Sequence, residues 1–220
     1  MRAFLAALIL LAAPLGATAE PTDKARIEQA YARRLVDQQQ QDVNQRIAAR
    51  AEALNNAPSS PVLGNPAGDV VIVEFFDYAC PYCKAVEPRL EALLKSDRKV
   101  KLVLKEFPIL TPQSMIATRA ALASVAQGKY RPFHQAMMNF RGQLLESDIF
   151  DMAKASGLDL VRLRRDMTSP AITDEIIANF NLARGIRAFQ TPVFIVGGHE
   201  MSSESASIDF PRAVVAARGR

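Results

Sequence analysis

A run of mostly apolar residues, Val70-Val-Ile-Val-Glu-Phe-Phe76, leads across three residues into Cys80-Pro81-Tyr82-Cys83, which holds the only two cysteines of the chain. Two cysteines scattered at random over 220 residues fall three apart on the order of one time in a hundred, so the spacing carries information. The run broken only by Glu74 is the pattern of a strand buried on both faces. Pro81 suits the first turn of a helix, where its missing N–H costs nothing. The i, i+3 spacing then sets Cys83 within disulfide reach of Cys80. A strand, a cysteine pair and a helix in that order restrict the fold to an α/β arrangement with the pair at the strand's carboxyl end.

A free thiol, with a pKa of about 8.5, is only a few per cent ionised near neutrality. At a helix amino terminus the unpaired N–H groups stabilise the anion, and each unit of depression favours the dithiol by about 1.4 kcal/mol, roughly 30 mV. The Pro81-Tyr82 dipeptide between the cysteines is where such tuning is applied, and Tyr82 brings no cationic charge. Two other uses of the pair are weaker. Zinc needs about four ligands, and His134 and His199 are distant in sequence. A bridge across three residues closes too small a loop to restrain the unfolded chain much. No metal is expected, and the only cofactor is the redox-active disulfide Cys80–Cys83. His134 reads as helix packing, His199 as a surface turn, and Met137-Met138 as core filling.

Residues 1–19 have one positive charge at Arg2, an apolar stretch from Ala3 to Ala13, and Ala17-Thr18-Ala19. That is the layout of a secretory signal peptide and directs the chain to a periplasm-like, oxidising space. The charge balance, 27 basic against 23 acidic residues, shows no basic block, so no nucleic-acid partner is expected. Residues 20–57 are rich in Ala, Gln, Arg and Glu and read as a single helix from Pro21 to Asn56. Its apolar residues are sparse, with Ile27, Tyr31 and Leu35 in one i, i+4 row. The helix is either a self-association arm that makes a homo-oligomer or a solvated arm.

Asn55 to Asp69 is Pro- and Gly-rich and marks a linker, with an edge strand at Val62-Leu63. Residues 62–220 form the main domain. After the Cys80 helix, in which Pro88 should introduce a kink, comes a strand over Lys99–Phe107, then a helical block over about 112–188. Ser147, Asp159 and Ser169 are the expected caps within that block. Thr191-Pro192, a strand at Val193–Val196, a short strand at His199–Met201 and a helix from about Ile208 to Ala217 close the chain. The α/β domain is thus split by a helical insertion.

Glu-Phe-Phe-Asp-Tyr-Ala-Cys-Pro-Tyr-Cys at 74–83, Lys-Glu-Phe-Pro-Ile-Leu at 105–110 and Thr-Pro at 191–192 resemble the DsbA-like thioredoxin-fold thiol:disulfide oxidoreductases. With its extra amino-terminal helix, the chain looks most like the suppressor-of-copper-sensitivity C type. The resemblance implies a thioredoxin fold with a helical insertion. It implies Cys80 as the exposed nucleophile, Cys83 as the buried resolving thiol, Glu74 as the acid beneath them, and Lys105 as a lysine that pairs with Glu74. A carboxylate in an apolar strand must in any case be paired or protonated. Pro192 matches the family's cis-proline, which offers backbone to a substrate peptide, and Thr191 a tuning position where threonine is commoner in isomerase-like and reductase-like relatives. The implied partners are unfolded or misfolded secreted proteins and a membrane redox protein of the DsbD/ScsB or DsbB type. The implied role is disulfide isomerase or reductase, with a dithiol oxidase or a Cu(I)-binding module as alternatives.

Overall fold

The computed structural model describes residues 23–201 and 208–219, so the expected signal peptide lies outside the described residues. Among them no helix is long and apolar enough to cross a membrane. The chain divides into two compact units, 1–40 and 41–220. The described part of the first belongs to helix α1 (Asp23–Ala48), and there Ile27, Tyr31, Leu35 and Val36 are exposed.

The second unit starts earlier than the linker composition suggests. The single helix expected over Pro21–Asn56 is interrupted at Ala49-Arg50, and α2 (Ala51–Asn55) follows. Ile47 before the break and Leu54 after it are both buried. Seven residues apart, the two would share a face in an unbroken helix as well, so their burial does not by itself account for the interruption.

Among the described residues the sheet has five strands in the order β1-β3-β2-β4-β5, formed by β1 (Val62–Gly64), β2 (Val70–Phe76), β3 (Val100–Glu106), β4 (Val193–Val196) and β5 (His199–Glu200). β2 and β3 run parallel, with α3 (Pro81–Ser96) as their crossover, and the other pairings are antiparallel. α3 carries Pro88 within one continuous assigned helix. Five helices then form the insertion: α4 (Pro112–Val125), α5 (Tyr130–Asn139), α6 (Glu146–Ala155), α7 (Leu160–Asp166) and α8 (Pro170–Gly185). α9 (Phe210–Arg218) closes the chain, with Asp209 capping Arg212 N–H.

Asp159 caps α7 as expected, accepting from Val161 and Arg162 N–H. Ser169 sits at the N-cap of α8 without a side-chain cap bond. Ser147 is not a cap: α6 starts one residue before it, and Asp148 reaches back to Leu145 N–H at 2.9 Å.

Strand alternation sorts the two faces of the sheet. Val70, Ile72, Phe76, Leu102 and Leu104 pack with α3, α9 and helices of the insertion, while Val73, Phe75 and Val103 pack with Ile47, Leu54 and Ala183. In the parallel register Glu74 lies beside Leu104, and Phe75 beside Lys105. Glu74 and Lys105 therefore point to opposite faces, and the expected pairing of the two does not occur. Lys105 Nζ instead donates to Ala53 O at 2.8 Å and to Ser60 Oγ at 2.7 Å. Ser60 Oγ and Ser59 in turn bond the Glu175 carboxylate. This buried relay ties α2, the following loop and α8 to β3. Lys105→Met should lower unfolding free energy by about 1–3 kcal/mol in denaturant titration, because it leaves buried acceptors unsatisfied. It should leave the titration of Cys80 unmoved, and a shifted thiol would count against the assignment to the far face.

Candidate active site

Cys80 occupies the N-cap of α3 and Pro81 the first helical position. The Cys80 sulfur accepts from Cys83 N–H at 3.3 Å, and as a thiol it donates to Thr191 O at 3.4 Å. Both cysteines are free, so the site is in its dithiol form. The exposed nucleophile expected from the sequence is in fact well covered: Cys80 is 2% exposed and Cys83 0%. The Thr191 carbonyl laid across the sulfur provides part of that cover.

What separates the two thiols is electrostatics rather than area. The Cys80 pKa falls from 9.0 to about 6 because the Cys83 thiol donates to its sulfur, aided by Thr191 and the N–H groups of Cys83 and Tyr82 against the cost of burial. Cys83 moves the other way, far above the ordinary thiol range, chiefly through burial. At neutral pH the site thus presents one thiolate and one thiol.

The Thr191–Pro192 peptide is cis and lies opposite the helix start. Thr191 Oγ1 is buried without a hydrogen-bond partner among the described residues, a donor for which the Cys80 thiolate is the available acceptor. Tyr82, at 65% exposure, and Phe189, two residues before Thr191, stand out as large exposed rings. Asp77 braces the loop: Oδ1 accepts from Ala79 N–H at 2.7 Å, and Oδ2 from Ile109 and Leu110 N–H at 2.8 and 2.9 Å.

Glu74 is wholly buried on the cysteine side of the sheet, and neither carboxyl oxygen has a partner among the described residues. Burial foremost, then the charges of Glu87, Cys80 and Glu106, raises its pKa well above the ordinary carboxylate value, which favours the protonated acid. Were it ionised, its charge would push the Cys83 thiol up further.

A second buried acid was not singled out by its sequence. Glu106 accepts from Tyr78 OH at 3.0 Å, Tyr130 OH at 2.9 Å and Thr118 Oγ1 at 2.9 Å. Burial raises its pKa to about 8 against the pull of those three donors. His134 Nδ1 lies 2.9 Å from Tyr78 OH, its ring stacks on Tyr130, and its Nε2 is 3.7 Å from Glu87 Oε1. His134 does pack a helix, as its sequence context suggests, but within a polar network. The available signal was parity: Glu106 is two residues from Leu104, on the same face as Glu74.

The profile of the DSBA-like thioredoxin domain matches residues 71–215, more than half of the chain. The chain belongs to the DSBA-like thioredoxin domain family. Within it, a thioredoxin-like oxidoreductase from Silicibacter pomeroyi DSS-3 is 41% identical, with a TM-score of 0.73 over 77% of this chain and 98% of that structure. Proteus mirabilis ScsC, in a linker-deletion variant, shares the fold at 22% identity, with a TM-score of 0.75 over 92% of this chain and 99% of that one. A provisionally named protein-disulfide oxidoreductase of Rickettsia typhi is 28% identical over 158 residues, 67% of this chain and 57% of its own length. The chain also matches Na(+)/H(+) antiporters of Salinispora over 139 residues, spanning only 21% of their length. The family match is thus to DsbA-like thioredoxin domains, the fold of thiol-disulfide oxidoreductases, and the chain spans about half or less of the length of the curated relatives it matches.

Proposed function

We propose that the chain is a periplasmic thiol:disulfide exchange enzyme acting on secreted proteins, biased toward disulfide isomerisation or reduction. The observation that carries the exchange chemistry is the split of the two thiols, with Cys80 anionic opposite a cis Thr191–Pro192 loop and Cys83 neutral beneath it. In the reducing direction the Cys80 thiolate attacks a substrate disulfide, forms the mixed disulfide and releases one substrate thiolate. Cys83, once deprotonated, attacks Cys80 and releases the second thiolate, so the substrate gains two electrons and the protein ends as the Cys80–Cys83 disulfide. In the oxidising direction a substrate thiolate attacks the Cys80 sulfur and Cys83 leaves. Glu74, held neutral by burial, is the acid that protonates that leaving sulfur.

Glu74→Gln keeps the shape and removes the transferable proton. Rapid-quench trapping of the mixed disulfide should show formation and resolution through Cys83 slowed by about a hundredfold, with Cys80 alkylation little changed. Equal rates would relieve Glu74 of this role.

Secretion is supported by the layout of residues 1–19 and by likeness to a Salmonella enterica structure described as a periplasmic thioredoxin-like protein, at 25% identity. The bias toward isomerisation rests on Thr191 and on the exposed apolar row of α1, through which subunits would associate around a shared substrate space. Refolding of a scrambled disulfide substrate by the full mature chain tests it. Rapid recovery of native pairing supports the isomerase. Fast oxidation of a reduced substrate with recycling by a DsbB-type partner, and no rearrangement of scrambled bonds, overturns it. That second outcome has an observation in its favour, since a Cys80 pKa of about 6 stabilises the dithiol and so favours giving the disulfide away. A Cu(I) dithiolate would require Cys83 as an anion as well, which its burial opposes.

A further inference from the structure

A cavity of about 410 Å³ opens beside the nucleophile. Ala79 and Pro81, the chain neighbours of Cys80, form part of its wall together with Ala85 and Phe140, and two cations, Lys84 and Arg141, complete it. Lys84 Nζ donates to the Phe140 carbonyl at 2.8 Å and stands 5.5 Å from the Phe140 ring centroid. Arg141 Nη1 donates to the same carbonyl at 3.2 Å and to Met138 O at 2.8 Å. The two cations thus share one neutral acceptor, and among the described residues neither is paired with a carboxylate.

Burial and the nearby charge of Arg141 lower the Lys84 pKa, which marks the site as short of negative charge. Two anionic groups within its field act the other way. Asp77 has both oxygens committed to backbone N–H groups, so it does not supply a partner. The other is the Cys80 thiolate. When the mixed disulfide forms, that sulfur loses its charge, and the cations lose a counter-charge at the moment the substrate chain lies beside them. Lys84 keeps N–H donors to spare, and Arg141 is exposed with further guanidinium donors of its own. An acidic side chain carried by the substrate restores the balance, its methylene stem resting on Pro81 and Phe140.

We propose that this pocket reads the substrate protein beside the attacked cysteine and selects segments with an aspartate or glutamate there. The inference deepens the exchange activity proposed above and rests on it. Its charge complementarity acts on encounter and on the lifetime of the mixed disulfide.

The test uses the full mature chain, reduced, and two peptides that differ only in carrying Glu or Lys on both sides of one cysteine. That cysteine is activated as a 2-thiopyridyl disulfide. The Cys80 thiolate attacks the peptide sulfur, the peptide–Cys80 disulfide forms, and pyridine-2-thione leaves and is read by absorbance. The Glu peptide should react about tenfold faster at low ionic strength, with the ratio falling toward one near 0.5 M salt. Arg141→Glu, a change at an exposed position, should invert the preference. The ratio of the two rates cancels any change in the thiolate fraction, which both peptides share. Equal rates for the two peptides with the unaltered chain, or a ratio that Arg141→Glu leaves in place, overturns charge selection while leaving the exchange activity standing. Failure of both peptides to react overturns the exchange reading and this one with it.

Discussion

Cys83→Ala should turn the site from a catalyst into a trap. The reduced variant attacks a disulfide substrate through Cys80, and the adduct then has no neighbouring thiol to resolve it. Uncatalysed disulfide rearrangement takes minutes to hours, so a covalent protein–substrate species should accumulate on non-reducing gels and persist on that scale. Cys80→Ala, with its remaining thiol buried and held neutral, should form no adduct at all. The reverse pattern, trapping by Cys80→Ala alone, would exchange the roles of the two thiols. This pair of variants separates nucleophile from resolver without reference to the direction of exchange in the cell.

The second large effect is in pH. With Cys80 at about 6, its alkylation by iodoacetamide should fall tenfold per pH unit below 6 and level off above 7. A midpoint near 8.5 would show that the helix start and the Cys83 thiol do not hold the anion. The same depression has a stability consequence whose sign is fixed. A thiol whose folded pKa lies below its unfolded value of about 8.5–9 contributes its full stabilisation above that unfolded value, and the contribution fades as pH falls through 6. From 9.0 to about 6 the upper limit is about 4 kcal/mol. The dithiol form should therefore gain thermal stability relative to the disulfide form between pH 5 and pH 8. A melting difference that does not change over that interval would contradict the assignment.

The stretch from Val70 to Cys83 was legible because its features are local: an apolar run, a proline at the first helical position and an i, i+3 cysteine spacing. The cap at Asp159 was legible for the same reason. Lys105 was not, because its neighbour depends on the register between two parallel strands whose centres lie about thirty residues apart. A one-residue difference in that register decides which face a side chain occupies. The cover over Cys80 likewise depends on a loop more than a hundred residues downstream. Ser147 shows a third kind of failure, in which a serine suited to capping lies just inside a helix that the following Asp148 caps instead. The break at Ala49-Arg50 has no glycine or proline to announce it.

The cage around Glu106 gathers β3, the loop before Cys80, α4 and α5 onto one carboxyl group, through Glu106 itself, Tyr78, Thr118 and Tyr130. His134 on α5 extends the contact to Glu87 on α3. The insertion is therefore not a module that can be exchanged without consequence. A chimera that takes these helices from a relative also takes the setting of Tyr78, two residues ahead of the nucleophile.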